Sequence, residues 1–327
     1  MKNLLLVGGA GYIGSVLANY FIKNKDISKI FIIDDLIYEN QKINPLLKKN
    51  KKIIFIKSDF IDTENLKKIL PKISFIVMLA GLVGDPITKK YPTLSRKVNV
   101  IGIKKFILKA NRFKNIERFI FISTCSNYGV IKNKIANENS KLNPKSSYAK
   151  AKIKLENFLI RNKKIRFTTT ILRFATAFGL SPRMRYDLTL NQFCKDALLN
   201  KKIEIYDSMT WRPYCHVIDF SRIIEKVLFS DKEIIDREIF NAGSDINNSR
   251  KIDIAKKIKN KVKSLKIINI KGVQDPRDYR VSFEKLNRIL KIKPKYSLKH
   301  GIVEIIKSLK NKNINFRDTG NYKLRNN

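Results

Sequence analysis

The chain repeats one pattern: a short unbroken apolar run, a break of small or acidic residues, then apolar positions at helical spacing. Lys2-Asn-Leu-Leu-Leu-Val7 runs into Gly8-Gly-Ala-Gly11-Tyr-Ile-Gly14, followed by Val16, Leu17, Tyr20 and Phe21 on one helical face. Comparable runs lie at 29–33, 52–57, 73–79, 118–122 and 167–174. Runs without polar alternation predict strands buried on both faces, as in a parallel sheet covered by helices. A long amphipathic helix is predicted over about 93–112, with Val98, Ile101, Phe106, Ile107 and Ala110 on its apolar face, and another over about 146–162. Strands alternating with helices imply a doubly wound parallel α/β sheet, whose ligands bind beyond the carboxyl ends of the strands.

The breaks at those strand ends carry the candidate chemistry. Gly8, Gly11 and Gly14 match G-x-x-G-x-x-G between a strand and a helix. The turn needs glycine dihedrals, the backbone must approach a pyrophosphate closely, and Gly14 lets the helix pack on the strand. The helix start, Tyr12-Ile13-Gly14, then offers free N–H groups to phosphates. Asp34-Asp35 ends the second strand, about 20 residues past the loop, where an acid accepts both adenosine-ribose hydroxyls. Such an acid favours NAD over NADP, whose 2′-phosphate it would repel; one of the two aspartates also suits a cap. Asp59, in Ser58-Asp59-Phe60, is placed to reach the adenine edge or to cap a helix. After the fourth strand, Leu79-Ala80-Gly81 would let the backbone lie against a cofactor.

Composition narrows the class. The 327 residues are 43% apolar, a globular balance with ample core and no run near the ~20 residues of a membrane span. Met1 stands within three residues of the first strand, which leaves no signal peptide. Three dispersed cysteines, Cys125, Cys194 and Cys215, fit a reducing cytoplasm. His216 and His300 are the only histidines, and no cluster has metal-ligand spacing. The net charge of +40 invites a nucleic-acid reading. Lysine, however, recurs on nearly every polar helix face together with abundant Ile and Asn, without a nucleic-acid motif. Attraction to anionic substrates is the milder consequence.

Tyr148 and Lys152 open the second long helix four residues apart, a spacing that puts both on one face. A fixed ammonium pulls down the pKa of a neighbouring phenol and equips it for proton transfer. The same spacing recurs at Tyr38/Lys42, in a loop after the second strand, and at Tyr128/Lys132, beside the fifth strand's end.

With its glycine loop, Thr124 and Tyr148/Lys152 in this order, the chain resembles the extended short-chain dehydrogenase/reductases, and within them the NAD-dependent sugar-nucleotide epimerase/dehydratase branch. The resemblance covers about residues 1–310. It implies a catalytic set of Thr124, Tyr148 and Lys152, with Lys152 also holding the nicotinamide ribose, and it makes Asn99 similar to the family's structural Asn on the cofactor side. Phe167–Phe174 followed by Ala175-Thr176-Ala-Phe-Gly179 is similar to the stretch lining the sugar site, and implies substrate contact at Thr176. Trp211-Arg212-Pro-Tyr-Cys-His-Val-Ile-Asp219 resembles the segment whose Arg binds the diphosphate, and Asp275-Pro-Arg-Asp-Tyr-Arg280 implies a second clamp at Arg280. His216 reads as a structural hydrogen bonder. Members that dehydrate place Asp-Glu directly after the catalytic Thr; here Cys125 and Ser126 stand there, which disfavours 4,6-dehydration, and Cys125 reads as a small buried residue.

The resemblance therefore implies a cytoplasmic NAD-dependent nucleotide-sugar epimerase, acting at C4 by transient hydride transfer through a 4-keto sugar. A nucleotide-4-keto-sugar reductase using NAD(P)H is the alternative, and a non-catalytic or RNA-associated Rossmann protein is the alternative of another class. The expected organisation is a Rossmann domain over 1–176 with 216–242 returning to it, a smaller discontinuous substrate lobe from 177–215 and 243–310, and a loosely ordered polar tail at 311–327. The two long helices are expected to pair across a homodimer.

Overall fold

A computed structural model describes the chain apart from residues 39–44, 46–48, 271–276, 313, 315–319, 322, 326 and 327, and the side chains of Lys132 and Asn133. Seven parallel strands form one sheet: β1 (Lys2–Val7), β2 (Ile27–Asp34), β3 (Ile53–Lys57), β4 (Phe75–Met78), β5 (Arg118–Thr124), β6 (Thr168–Phe174) and β7 (Glu238–Ala242). Their order is β7-β6-β5-β4-β1-β2-β3, so the chain reverses direction across the sheet beside β1. Six strands coincide with the apolar runs to within one or two residues. The seventh, Glu-Ile-Phe-Asn-Ala, lies at the edge against β6 and carries only two large apolar residues.

Both faces of the sheet are buried, which is why the strands do not alternate. Leu4, Leu6, Ile30 and Ile32 pack on one face with α1 (Tyr12–Ile22). Leu5, Val7, Phe31 and Ile33 pack on the other, beneath the two long helices. The first of those helices is interrupted: residues Pro92–Arg96 are α-helical, Lys97–Gly102 form a wide π turn, and α-helix resumes at Ile103–Ala110. That turn carries Asn99, whose amide accepts from the Leu82 N–H at 2.8 Å and donates to the Leu82 carbonyl at 2.9 Å. Wide turns of this kind commonly mark functional sites. The second long helix, Ser147–Arg161, starts at an N-cap, Ser146 Oγ accepting from Ala149 N–H at 3.2 Å.

Residues 179–212 and 244–310 build against one end of the sheet, with Lys202–Tyr206 and Lys266–Ile270 paired in parallel and helices Thr189–Leu199, Lys251–Lys259 and Leu298–Lys310 packed around them. Helix Val217–Leu228 returns to the sheet beside α1 and leads to β7. The last described residues of the chain return to the sheet's end. Leu324 bridges Tyr38 in antiparallel fashion, and the Arg325 N–H donates to the Ile37 carbonyl at 2.8 Å. The reason is a single apolar anchor: Leu324 packs on Tyr38, Leu82 and Ile87.

Candidate active site

A cleft of about 270 Å³ opens over the carboxyl ends of the strands. Its floor is the glycine loop. Gly8 adopts φ +80°, and a Cβ there would stand 2.6 Å from the Ala80 Cα; one on Gly14 would stand 2.6 Å from the Gly9 Cα. The loop therefore tolerates no side chain at either point, and the first-turn residues Tyr12, Ile13 and Gly14 face the cleft with the N–H groups that a helix start leaves unpaired.

Asp34 closes one end. It is buried, its Oδ2 accepting from Ala10 N–H at 3.0 Å and its Oδ1 from Leu36 N–H at 2.9 Å. Burial pushes its carboxyl up to about 6, with the two N–H donors pulling the other way. Asp35, Ser58, Phe60, Leu79, Ala80 and Gly81 share this wall. Asp59 does not, because its Oδ1 turns back to accept from the Ile61 N–H at 3.0 Å; Asp62, not Asp59, caps the helix that follows. Asn99 is also off the wall, one layer behind, occupied with Leu82.

At the other end stand Thr124, Tyr148 and Lys152. Thr124 ends β5, and its Oγ1 accepts from the Ser126 N–H at 3.1 Å. Tyr148 lies in the first turn of its helix. Lys152, one turn on, is 2% exposed, donates from Nζ to the Ile122 carbonyl at 2.7 Å, and sits 5.7 Å from the centre of the Tyr148 ring. All three line the cleft, as does Thr176. The other Tyr/Lys spacings fall apart: Tyr128 precedes a strand at Val130–Ala136, and Lys42 lies outside the described residues.

Burial holds the Tyr148 phenol well above its ordinary value, and the cation that opposes this most is Arg185. Burial also lowers the Lys152 ammonium to about 8, against the pull of Glu156, which leaves it charged at neutral pH. Beneath the site, Glu156 and Arg173 form a buried pair at 2.7 Å. Glu156 also accepts from Ser123 Oγ and from Asn127 Nδ2 (2.8 Å), and Arg173 donates to the Tyr128 hydroxyl at 3.0 Å. This network fixes the loop that follows Thr124.

Two expected clamps lie elsewhere. Arg212 is buried with Nη1 donating to the Trp211 carbonyl (2.7 Å) and its guanidinium 5.3 Å from the Tyr279 ring centre, so Tyr279 stands on the cleft wall in its place. Arg280 lies over Trp211 at 5.4 Å, off the wall. The arginines that do line the cleft are Arg183, Arg185 and Arg277. Arg185 pairs with Asp187 at 2.5 Å and Arg277 with Asp85 at 3.1 Å. Arg277 was legible to within three residues, in the motif that ends at Arg280. Arg183 and Arg185 had a signal, alternating arginines soon after Gly179, hidden by the surrounding excess of basic residues. Cys125 is buried, its Sγ donating to the Arg173 carbonyl at 3.1 Å, and His216 bonds Glu304 at 2.6 Å, both structural contacts.

A glycine-floored cleft with a ribose-type acid at one end and a Thr/Tyr/Lys set at the other defines an extended short-chain dehydrogenase/reductase. The chain belongs to the NAD dependent epimerase/dehydratase family, which it matches over residues 4–243. It is 29% identical to an uncharacterized protein of Methanocaldococcus jannaschii, over 92% of this chain and 94% of that one. It is 27% identical to an uncharacterized UDP-glucose epimerase of Bacillus subtilis, over 93% and 96%. The structure of UDP-glucuronic acid 4-epimerase from Bacillus cereus, in complex with UDP-glucuronic acid and NAD, superposes with a TM-score of 0.84 at 25% identity, covering 95% of this chain and 99% of that one. Among the described residues no helix is long and apolar enough to cross a membrane.

The cofactor is NAD, and the cleft fits it. The glycine floor leaves the space a Cβ would fill, and Asp34 offers a carboxylate that suits ribose hydroxyls and repels a 2′-phosphate. The raised Asp34 value has a measurable consequence. NAD affinity is expected to fall as pH drops through about 6, where the carboxylate is lost, and Asp34→Asn is expected to flatten that dependence in calorimetric titrations. Folding does not confound the reading. An acid raised in the folded state favours its protonated form there, so this group adds stability rather than removing it as pH falls from 6 toward its ordinary value.

Proposed function

We propose that the protein is a nucleotide-sugar 4-epimerase. The observation that carries this reading is the shared wall of Thr124, Tyr148 and Lys152, with no acid beside Thr124: Cys125 is buried against Arg173 and Ser126 is a hydroxyl. Bound NAD supplies reversible hydride acceptance. Tyr148 exchanges a proton with the C4 hydroxyl of the sugar, Thr124 hydrogen-bonds the same oxygen, and Lys152 steadies the phenolate as it develops. Without a carboxylic acid directly after Thr124, and with the cleft's Asp85 paired to Arg277, the site is poorly equipped to protonate a departing hydroxyl, and return of the hydrogen to the opposite face gives the C4 epimer.

In this reading Thr176 borders the sugar, and the diphosphate falls to Arg277, which is on the wall, in place of Arg280. Fork-shaped guanidinium donors match phosphate oxygens. Residues 177–215 and 243–310 contribute the substrate side. The relatives support a nucleotide sugar, since the Bacillus cereus 4-epimerase is described with UDP-glucuronic acid and NAD. A homodimer completes the proposal: Ile101 and Leu108 are 42% and 45% exposed on the interrupted long helix and are suited to cover a second copy. Light scattering is expected to give twice the chain mass.

The test is incubation with UDP-, dTDP-, GDP- and CDP-sugars without added cofactor, followed by NMR of the products. Inversion at C4 is expected. A requirement for stoichiometric NADH would favour a reductase, and loss of water from the sugar would contradict the proposal.

A further inference from the structure

The family match ends at residue 243, yet the far C-terminus comes back to the cleft. Gly320 takes φ +91°, and a Cβ there would collide with the Asp187 carboxylate, so the chain passes tightly against the Arg185–Asp187 pair. Further on, Leu324 bridges Tyr38 and the Arg325 N–H is held by the Ile37 carbonyl. Between these two anchors Asn321 turns into the cleft. It is 5% exposed and lines the wall, and its Nδ2 reaches the Val83 carbonyl at the long distance of 3.5 Å. Its Oδ1 is buried with no hydrogen-bond partner among the described residues. Buried side-chain oxygens are rarely left so, and one on a residue that lines a ligand cleft is suited to a donor on the ligand.

The neighbours indicate which ligand. Tyr38 follows the Asp34 end of the cleft, with Arg183 5.2 Å from its ring centre, and Leu82 and Val83 follow the small residues Ala80-Gly81 after β4. These border the expected dinucleotide path. We propose that Gly320, Asn321, Leu324 and Arg325 form a strap that completes the NAD site, with Asn321 Oδ1 accepting a hydrogen bond from a hydroxyl of the bound dinucleotide. Leu324 fastens the strap, and Gly320 lets it pass Asp187. The strap rests on the cofactor assignment and not on the choice of reaction.

Titration calorimetry of NAD into the nucleotide-free 327-residue chain tests it. Asn321→Leu is expected to raise the NAD dissociation constant about three- to tenfold, the worth of one hydrogen bond. Asn321→Asp keeps the acceptor and should stay closer to the parent, and removal of residues 313–327 should weaken binding at least as much as Asn321→Leu. An unchanged constant in Asn321→Leu overturns the proposal. So does equal weakening by Leu and Asp, which would mean packing alone. If the truncated chain loses its circular-dichroism signal, the Asn321 variants decide. Because no sugar is present, a failed epimerase assay leaves this result intact.

Discussion

Phenylalanine at position 148 is expected to lower turnover by a factor of about 10²–10⁴ while NAD stays bound. The substitution removes one hydroxyl and little else. The ring that stands 5.7 Å from the Lys152 ammonium remains, as does the packing at the start of the Ser147–Arg161 helix, whose cap is Ser146 and not Tyr148. Binding of the nucleotide portion should be nearly unaffected, so the loss falls on kcat rather than KM. The environment of Tyr148 says why the hydroxyl needs its neighbours. Burial alone keeps it protonated, and Arg185 is the cation that eases its ionisation. Activity of Tyr148→Phe within a fewfold of the parent would remove Tyr148 from the mechanism.

Alanine at Glu156 is expected to destabilise the fold by about 3–5 kcal/mol, because it leaves the Arg173 guanidinium buried without its carboxylate. The two side chains are 2% and 4% exposed and meet at 2.7 Å, and Ser123 and Asn127 donate to the same carboxylate. Contrast the Lys2–Glu117 pair, 41% exposed on each side, whose loss should cost about 0–1 kcal/mol. Urea unfolding of Glu156→Ala and Glu117→Ala measures both. Glu156→Gln keeps hydrogen-bond acceptors and should fall between them. Glu156 also holds the Lys152 ammonium up against burial, so its removal moves the loss of that charge to a pH below about 8. In variants that remain folded, the alkaline limb of activity should shift to lower pH.

The parallel sheet was legible because strands buried on both faces must be apolar throughout, and helices between them must carry one apolar stripe. β7, Glu-Ile-Phe-Asn-Ala, was not legible because a polar Glu and Asn break its short apolar stretch. The glycine floor, Asp34, Thr124, Tyr148 and Lys152 were legible for a related reason: each sits at a fixed offset from a strand end or helix start. The arginines were not. Arg212 and Arg280 lie in segments that resemble the family, yet their side chains turn toward Tyr279 and Trp211. Arg183, Arg185 and Arg277 reach the cleft from irregular loops, where no periodicity says which way a side chain points. Asp59 was lost to a local competition, its carboxylate satisfied two residues on by the Ile61 N–H.

The central claim is that Thr124, Tyr148 and Lys152 serve a hydrogen that leaves the sugar C4 and returns to the same carbon. The most direct measurement uses a nucleotide sugar carrying deuterium at C4, incubated with the purified protein without added cofactor and followed by NMR. The account predicts a C4-inverted product that retains its deuterium at C4, with no solvent hydrogen incorporated into the ring. Product that has lost the C4 label, or gained solvent hydrogen at C3 or C5, would contradict it.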